Sequence, residues 1–203
     1  YVPNGVDLNP FKKVSAKKLQ NPTLLFVGRL HPQKNLASLI EAIYITKNQI
    51  PNIKLIIVGD GPQKEFLKKT ISKFKLSKSV KLLGELAKID LIKVYKSAHV
   101  FILPSIYEGQ PLTLLEAWAA KLPVITSKTG DCQYLVKNGL NGYLISNSSN
   151  PEKISEAIIK AMQSKRLNKM GENGYNLVAG NFFWDKSATQ TLKLYESLIK
   201  ARN

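Results

Sequence analysis

The sequence predicts one α/β domain: a parallel sheet with helices on both faces, extended by carboxyl-terminal helices. Three observations predict it. Short apolar runs alternate regularly with helical patterns along the chain. The runs are nearly continuous in apolar residues and do not alternate with polar ones, as expected of parallel strands covered on both sides. Run after run ends at a glycine turn, and in such sheets the ligand crevice lies outside the carboxyl ends of the strands.

Taken in order, Pro3-Asn4-Gly5-Val6-Asp7 reads as a turn or linker, and Lys12 to Asn21 as a basic connector. Thr23 to Val27 is the first strand and ends at Gly28-Arg29. Asn35 is expected to cap a helix whose face is Leu36, Leu39, Ile40 and Ile43. Ile53 to Val58 is the second strand, ending at Gly59-Asp60-Gly61-Pro62. A helix from Gln63 to Phe74 is expected to turn Phe66, Leu67, Ile71 and Phe74 inward. Val80 to Leu83 is a third strand closed by Gly84, and Ala87 to Ser97 a helix through Leu91, Ile92 and Tyr95.

The stretch from Ala98 to Ser127 is the centre of the pattern. A buried strand, Val100 to Leu103, leads to a tight loop with Glu108 and Gly109, then to a helix from Pro111 to Lys121 and a strand from Val124. Strand, helix and strand form one crossover unit. Pro111 suits the first helical position, where its missing amide proton is not needed. Glu116, among Leu114, Leu115 and Ala117, is compatible with a plain surface residue or with one of a pair facing the crevice with Glu108.

Beyond it, Thr129 to Asp131 form a turn at another strand end, Tyr134 to Val136 a helical turn, and Tyr143 to Ile145 an edge strand. Pro151 opens a helix, and two more follow, Leu167 to Val178 and Trp184 to Lys200. The last carries a long apolar stripe including Trp184, Leu192 and Tyr195.

Composition narrows the function. The 203 residues carry a formal charge of +16 and one cysteine, which excludes an internal disulfide and fits a reducing compartment. The lysines lie on the polar sides of helical patterns without an aromatic RNA-binding motif or zinc-finger spacing, which argues against nucleic acid. They read as a solvated surface, with contact to anionic headgroups or an anionic substrate as the sharper alternative. His31 and His99 have no partners at metal-ligand spacing, and His99 reads as a hydrogen-bonded rim or core residue. Neither GxGxxG nor GxxxxGK[ST] is present, and Ser105 is not in a nucleophile elbow.

What gathers at the strand ends is Gly28, Arg29, the nearby Lys34, Gly59 to Gly61, Gly84, Glu108 and Gly109, and Thr129 to Asp131. Two cations, glycine turns and acids on one rim suit a phosphorylated ligand with hydroxyl groups.

These residues resemble the group 1, or family 4, retaining glycosyltransferases of the GT-B fold. The resemblance rests on Asn4-Gly5-Val6-Asp7, Val27-Gly28-Arg29-Leu30 with Lys34-Asn35, Val58-Gly59-Asp60-Gly61, Leu103-Pro104-Ser105, Glu108-Gly109 and Leu114-Leu115-Glu116-Ala117. Pro123-Val124-Ile125, Asn141-Gly142-Tyr143-Leu144 and Phe182-Phe183-Trp184 continue it. It implies a linker over 1–22, a Rossmann-like donor-binding domain over 23–181, and a terminal helix over 182–203 that packs toward an amino-terminal acceptor domain. With Tyr1 already inside a linker, the chain is expected to be an excised half of the fold, unable to transfer alone.

The resemblance also implies roles. Arg29 and Lys34 hold the diphosphate of a UDP-, GDP- or ADP-linked sugar, Glu108 lies by the transferred sugar, and Glu116 accepts from the ribose hydroxyls. Gly109 and the amides of Leu112 and Thr113 touch sugar or phosphate, and Leu83-Gly84 walls the base. Transfer to a saccharide or lipid-linked acceptor is expected with retention, without metal or cofactor, in the cytoplasm at the inner membrane face. A GT-B UDP-sugar epimerase and a non-catalytic nucleotide-binding module are the alternatives. Gly109-Gln110-Pro111 departs from the family's Gly or Ser, Phe, Gly, which puts sugar preference in question, and Tyr134 stands where a glutamate is usual, which is expected to reshape the neighbouring pocket.

Overall fold

Leu24, Leu25 and Phe26 are consecutive and all fully buried, which a strand achieves only when both faces of its sheet are covered. In the computed structural model, which describes residues 2–200, they belong to β1 (Thr23–Val27). Tyr1, where the linker reading begins, and positions 201–203 of the expected terminal helix lie outside the described residues. The remaining strands are β2 (Lys54–Val58), β3 (Val80–Gly84), β4 (Val100–Leu103), β5 (Val124–Ser127) and β6 (Gly142–Ile145). All neighbours pair in parallel, in the order β3-β2-β1-β4-β5-β6. The expected parallel α/β sheet is therefore present, with β1 and β4 side by side at its centre.

The helices are α1 (Asn9–Lys13), α2 (Leu36–Thr46), α3 (Lys64–Lys73), α4 (Lys88–Ser97), α5 (Leu112–Ala119), α6 (Cys132–Leu135), α7 (Pro151–Met162), α8 (Leu167–Asn181) and α9 (Trp184–Lys200). One group packs α2 against α3 and α7; in the other, α5 meets α8 and α1 meets α4. A buried hydrogen bond of 2.8 Å between the Thr46 and Ser155 hydroxyls pins α2 to α7.

Four expectations change. Pro111 is the N-cap in extended conformation, and the helix runs Leu112–Ala119, because Lys121 takes a left-handed φ of 58° that ends it. Phe66 is exposed, since the buried stripe of α3 is only Leu67 and Ile71, and Phe74 is half-buried against Tyr44. Asn35 occupies the N-cap of α2 without capping it, because its left-handed backbone aims the side chain elsewhere. The stretch expected to be linker and connector contains α1 and buries Val6 and Phe11.

The two ends of the described chain are fastened together. Val6 N donates to the Phe182 carbonyl at 2.9 Å and Ser187 Oγ to the Pro3 carbonyl at 2.7 Å. Gly5 lies so close that a Cβ would come within 2.5 Å of Trp184 N. Beyond Ser187, α9 leaves the domain, and Leu192, Tyr195, Leu198 and Ile199 are exposed.

Candidate active site at the carboxyl ends of the central strands

Strand order reverses between β1 and β4, so the connections leaving them run to opposite sides and open a crevice at their carboxyl ends. On the β1 side, backbone hydrogen bonds lace the strand ends: Gly28 N to Val58 O (3.0 Å), Gly59 N to Gly84 O (2.7 Å) and Leu30 N to Asp60 O (2.8 Å). Gly59 has φ 126°, and a Cβ there would sit 2.1 Å from the Gly28 carbonyl oxygen. Only glycine fits this contact. The result is a cavity of about 400 Å³ lined by Gly28, Arg29, Gly59, Asp60, Glu85 and Leu86. Arg29 is exposed at its edge and forms no ion pair among the described residues. Asp60 is already engaged by Lys64 at 2.6 Å and by its neighbouring Gly61 amide. Those contacts hold its carboxyl below the usual range.

A 3-10 turn, Pro32–Lys34, carries the second cation across to the β4 side. Lys34 Nζ lies 2.6 Å from Glu108 Oε1, and the glutamate side chain is 8% exposed against 18% for the lysine. The charges at the two strand ends thus form one desolvated pair.

The loop bearing Glu108 is held from both directions. Gln33 Nε2 donates to the Tyr107 carbonyl at 2.9 Å, and Ile106 N returns a bond to the Gln33 carbonyl at 2.8 Å. The Asn35 amide donates to the Pro104 carbonyl at 3.4 Å and to that of Ser148. Behind the loop, Gly130 has φ 49°, and a Cβ would stand 2.2 Å from the Glu108 carbonyl oxygen. Asp131 N donates to Gly109 O at 2.9 Å, while Gly109 is otherwise open. Gln33, Asn35 and Gly130 were not singled out by sequence for this positioning task. Replacing Asn35 by glycine keeps the left-handed backbone and removes both side-chain bonds. A stability loss of about 1–2 kcal/mol is expected in urea unfolding, with a larger loss for Asn35→Ala, which adds backbone strain.

Glu116 faces a second, smaller space of about 140 Å³, lined also by Gly5, Asp7, Phe11, Lys88 and Leu112. Its Oε2 accepts from the fully buried Tyr95 hydroxyl at 2.9 Å. Burial pushes the Glu116 carboxyl up, partly offset by the Tyr95 hydrogen bond and by Lys88. Burial and the Glu116 charge push the Tyr95 hydroxyl well above its ordinary value, so it remains a donor.

The structure therefore gathers Gly28, Arg29 and Gly59 around one cavity, pairs Lys34 with Glu108, and sets Glu116 beside Leu112 in the next. Thr113 is half-buried, and its carbonyl lies 3.5 Å from the Tyr95 hydroxyl. Gly61 packs against the Leu30 backbone, and Leu83 is exposed. His99 is the expected rim residue, its Nδ1 accepting from Thr23 N at 3.1 Å. Cys132 is buried, and burial and the charge of Glu108 push its thiol up to about 12.

Comparison with known proteins bears on this arrangement. The family described as glycosyl transferases group 1 matches residues 9–177. The chain is 34% identical to the UDP-Gal:alpha-D-GlcNAc-diphosphoundecaprenol alpha-1,3-galactosyltransferase of Escherichia coli, over 98% of the chain and 54% of that protein. Its fold superposes on sucrose-phosphate synthase from Thermosynechococcus elongatus with a TM-score of 0.85 and 26% identity, covering 98% of this chain and 52% of that one. It superposes on Anabaena Alr3699/HepE in complex with UDP-glucose at 0.82 and 22% identity, covering 95% and 56%. The chain spans about half the length of the curated relatives it matches.

Proposed function

The chain belongs to the group 1 glycosyl transferases and has the fold of the carboxyl-terminal domain of a GT-B enzyme; from that premise we propose that it binds the nucleotide-sugar donor. The observation that carries the reading is the Lys34–Glu108 pair formed where β1 and β4 end side by side, with Arg29 on the edge of the glycine-lined cavity beside the end of β1. An anionic diphosphate laid across the crevice is served by the Arg29 fork and the Lys34 ammonium. Glu116, held by Tyr95, accepts hydrogen bonds from the ribose hydroxyls, and Glu108 lies by the sugar. The exposed Leu83 and the Gly84 turn wall the base, and the amides of Leu112 and Thr113 at the start of α5 face sugar or phosphate.

In the complete enzyme the sugar passes to a saccharide or lipid-linked acceptor with retention and without a metal. Arg29 and Lys34, fixed before reaction, stabilise the charge that develops on the departing diphosphate. The acceptor is held by a second domain across the crevice, against which the apolar side of α9 packs, so this chain alone binds donor without transferring it. The basic composition supports a place in the cytoplasm at the inner membrane face, where lysines meet anionic headgroups.

Isothermal titration of the chain with UDP, GDP, ADP and their glucose and mannose conjugates, with and without magnesium, tests the proposal. Saturable binding that needs no metal is expected, weakened about tenfold or more in Arg29→Ala and in Glu116→Ala. A folded chain that binds none of them, or both variants binding as wild type, overturns the site.

The Glu116 carboxyl adds a pH signature. Its folded value is raised above the ordinary 4.5, so its contribution to stability is fully present below the unfolded value and lost as pH rises through the folded one. Ribose binding needs the ionised form and runs the other way. Nucleotide affinity is expected to fall as pH drops through the raised value, and to lose that fall in Glu116→Gln.

A further inference from the structure

At the opposite, amino end of the sheet, a third cavity collects lysines that the donor site does not use. It has a volume of about 370 Å³ and is lined by Ser15, Lys18, Lys96, Lys121, Asn168 and Glu172. Lys18 lies before β1, in a segment tied to the start of β4 by the Leu19 N to Ser97 O bond of 3.0 Å. Lys96 ends α4, and Lys121 lies between α5 and β5. Glu108 is at the far ends of these strands, so this is a different place from the crevice.

None of the three ammonium groups has a carboxylate partner among the described residues. The one acid on the wall, Glu172, has its Oε2 3.9 Å from Lys169. Lys18 is exposed along its length, but its ammonium is tied to the cavity wall by donating to the Ala98 carbonyl. Lys121 holds a left-handed φ of 58°, the backbone state at a helix end that glycine fills without strain. Its backbone is pressed by α8, where a Cβ on Gly171 would come 2.0 Å from the Lys121 carbonyl oxygen. Its Nζ lies 5.2 Å from the centre of the Tyr175 ring. Its side chain thus joins a wall that already contains two other lysines. Burial first, and a neighbouring ammonium second, lower both Lys18 and Lys96.

We propose that the cavity between Lys18, Lys96 and Lys121 is a binding site for a phosphate monoester, with Ser15 and Asn168 as neutral partners. A dianion relieves the crowding of three cations, and each ammonium offers up to three donors to its oxygens. The same chemistry is presented by a soluble sugar or inorganic phosphate and by the headgroup of phosphatidic acid.

The test is titration of the full chain with inorganic phosphate at constant ionic strength, read by backbone amide shifts at Ser15, Lys18, Lys96 and Lys121. Saturable shifts at these residues are expected, with affinity reduced at least about fivefold in Lys121→Gly. Because glycine suits the left-handed backbone, the Tm of Lys121→Gly is expected to be unchanged or higher, which separates a lost ligand contact from a damaged fold. In parallel, cosedimentation is measured with phosphatidylcholine vesicles with and without phosphatidic acid. Shifts with inorganic phosphate and no vesicle binding assign a soluble ester. Vesicle binding that requires phosphatidic acid and is lost in Lys121→Gly, with no response to free phosphate, assigns the headgroup. Absence of both responses, or Lys121→Gly behaving as wild type in both, overturns the site.

Discussion

Lys34→Ala is expected to lower kcat for sugar transfer in the complete enzyme by about 10²–10³, with a smaller change in KM for the donor. The ammonium is set 2.6 Å from Glu108 before any substrate arrives, so in the proposed role it meets the departing diphosphate without being brought in from solvent. Removing it also leaves the Glu108 side chain, 8% exposed, without its cation. Breaking a desolvated pair by deleting one member costs more than deleting both. The Lys34→Ala, Glu108→Ala double variant is therefore expected to unfold at a higher temperature than Lys34→Ala alone, while remaining inactive. A single variant that keeps full kcat removes Lys34 from the reaction. A double variant less stable than the single one removes the argument from burial.

The largest effect on stability is expected at Trp118. It is fully buried in α5, its Nε1 donates to the Asn141 carbonyl at 3.1 Å, and α8 approaches its ring so closely that only glycine fits at 174. Trp118→Ala removes the side chain that spaces α5, α8 and the segment before β6. A loss of about 3–5 kcal/mol is expected, which for a chain of this size lowers Tm by about 10 °C or more. Trp118→Phe retains much of the packing and gives up the hydrogen bond, so its loss is expected to be well under half as large. Thermal unfolding followed by circular dichroism measures both. Equal losses in the two variants would place the stabilisation in the hydrogen bond and not in the packing.

The sheet was legible because its strands are written locally. Leu24 to Phe26 and Val100 to Leu103 are unbroken apolar runs, and burial on both faces leaves no other pattern open to them. The position of Arg29 was legible for a related reason, since a strand end followed by glycine marks itself, and that of Glu108 because its loop joins a buried strand to a helix within one crossover unit. What was not legible depends on residues brought together across the sequence. Gln33 meets Tyr107, Asn35 meets Ser148, Tyr95 meets Glu116 and Gly130 backs Glu108. No periodicity reports such contacts. Phe66 failed in the opposite sense: it has the residue type of a core position, but lies one residue off the Leu67–Ile71 stripe of α3 and is turned to solvent.

The fastening of Pro3, Gly5 and Val6 to Phe182, Trp184 and Ser187 has a mechanical consequence. Two backbones run side by side there and are bonded to each other, so a load on residues 3–6 is shared with the root of α9 and is not carried by a single tether.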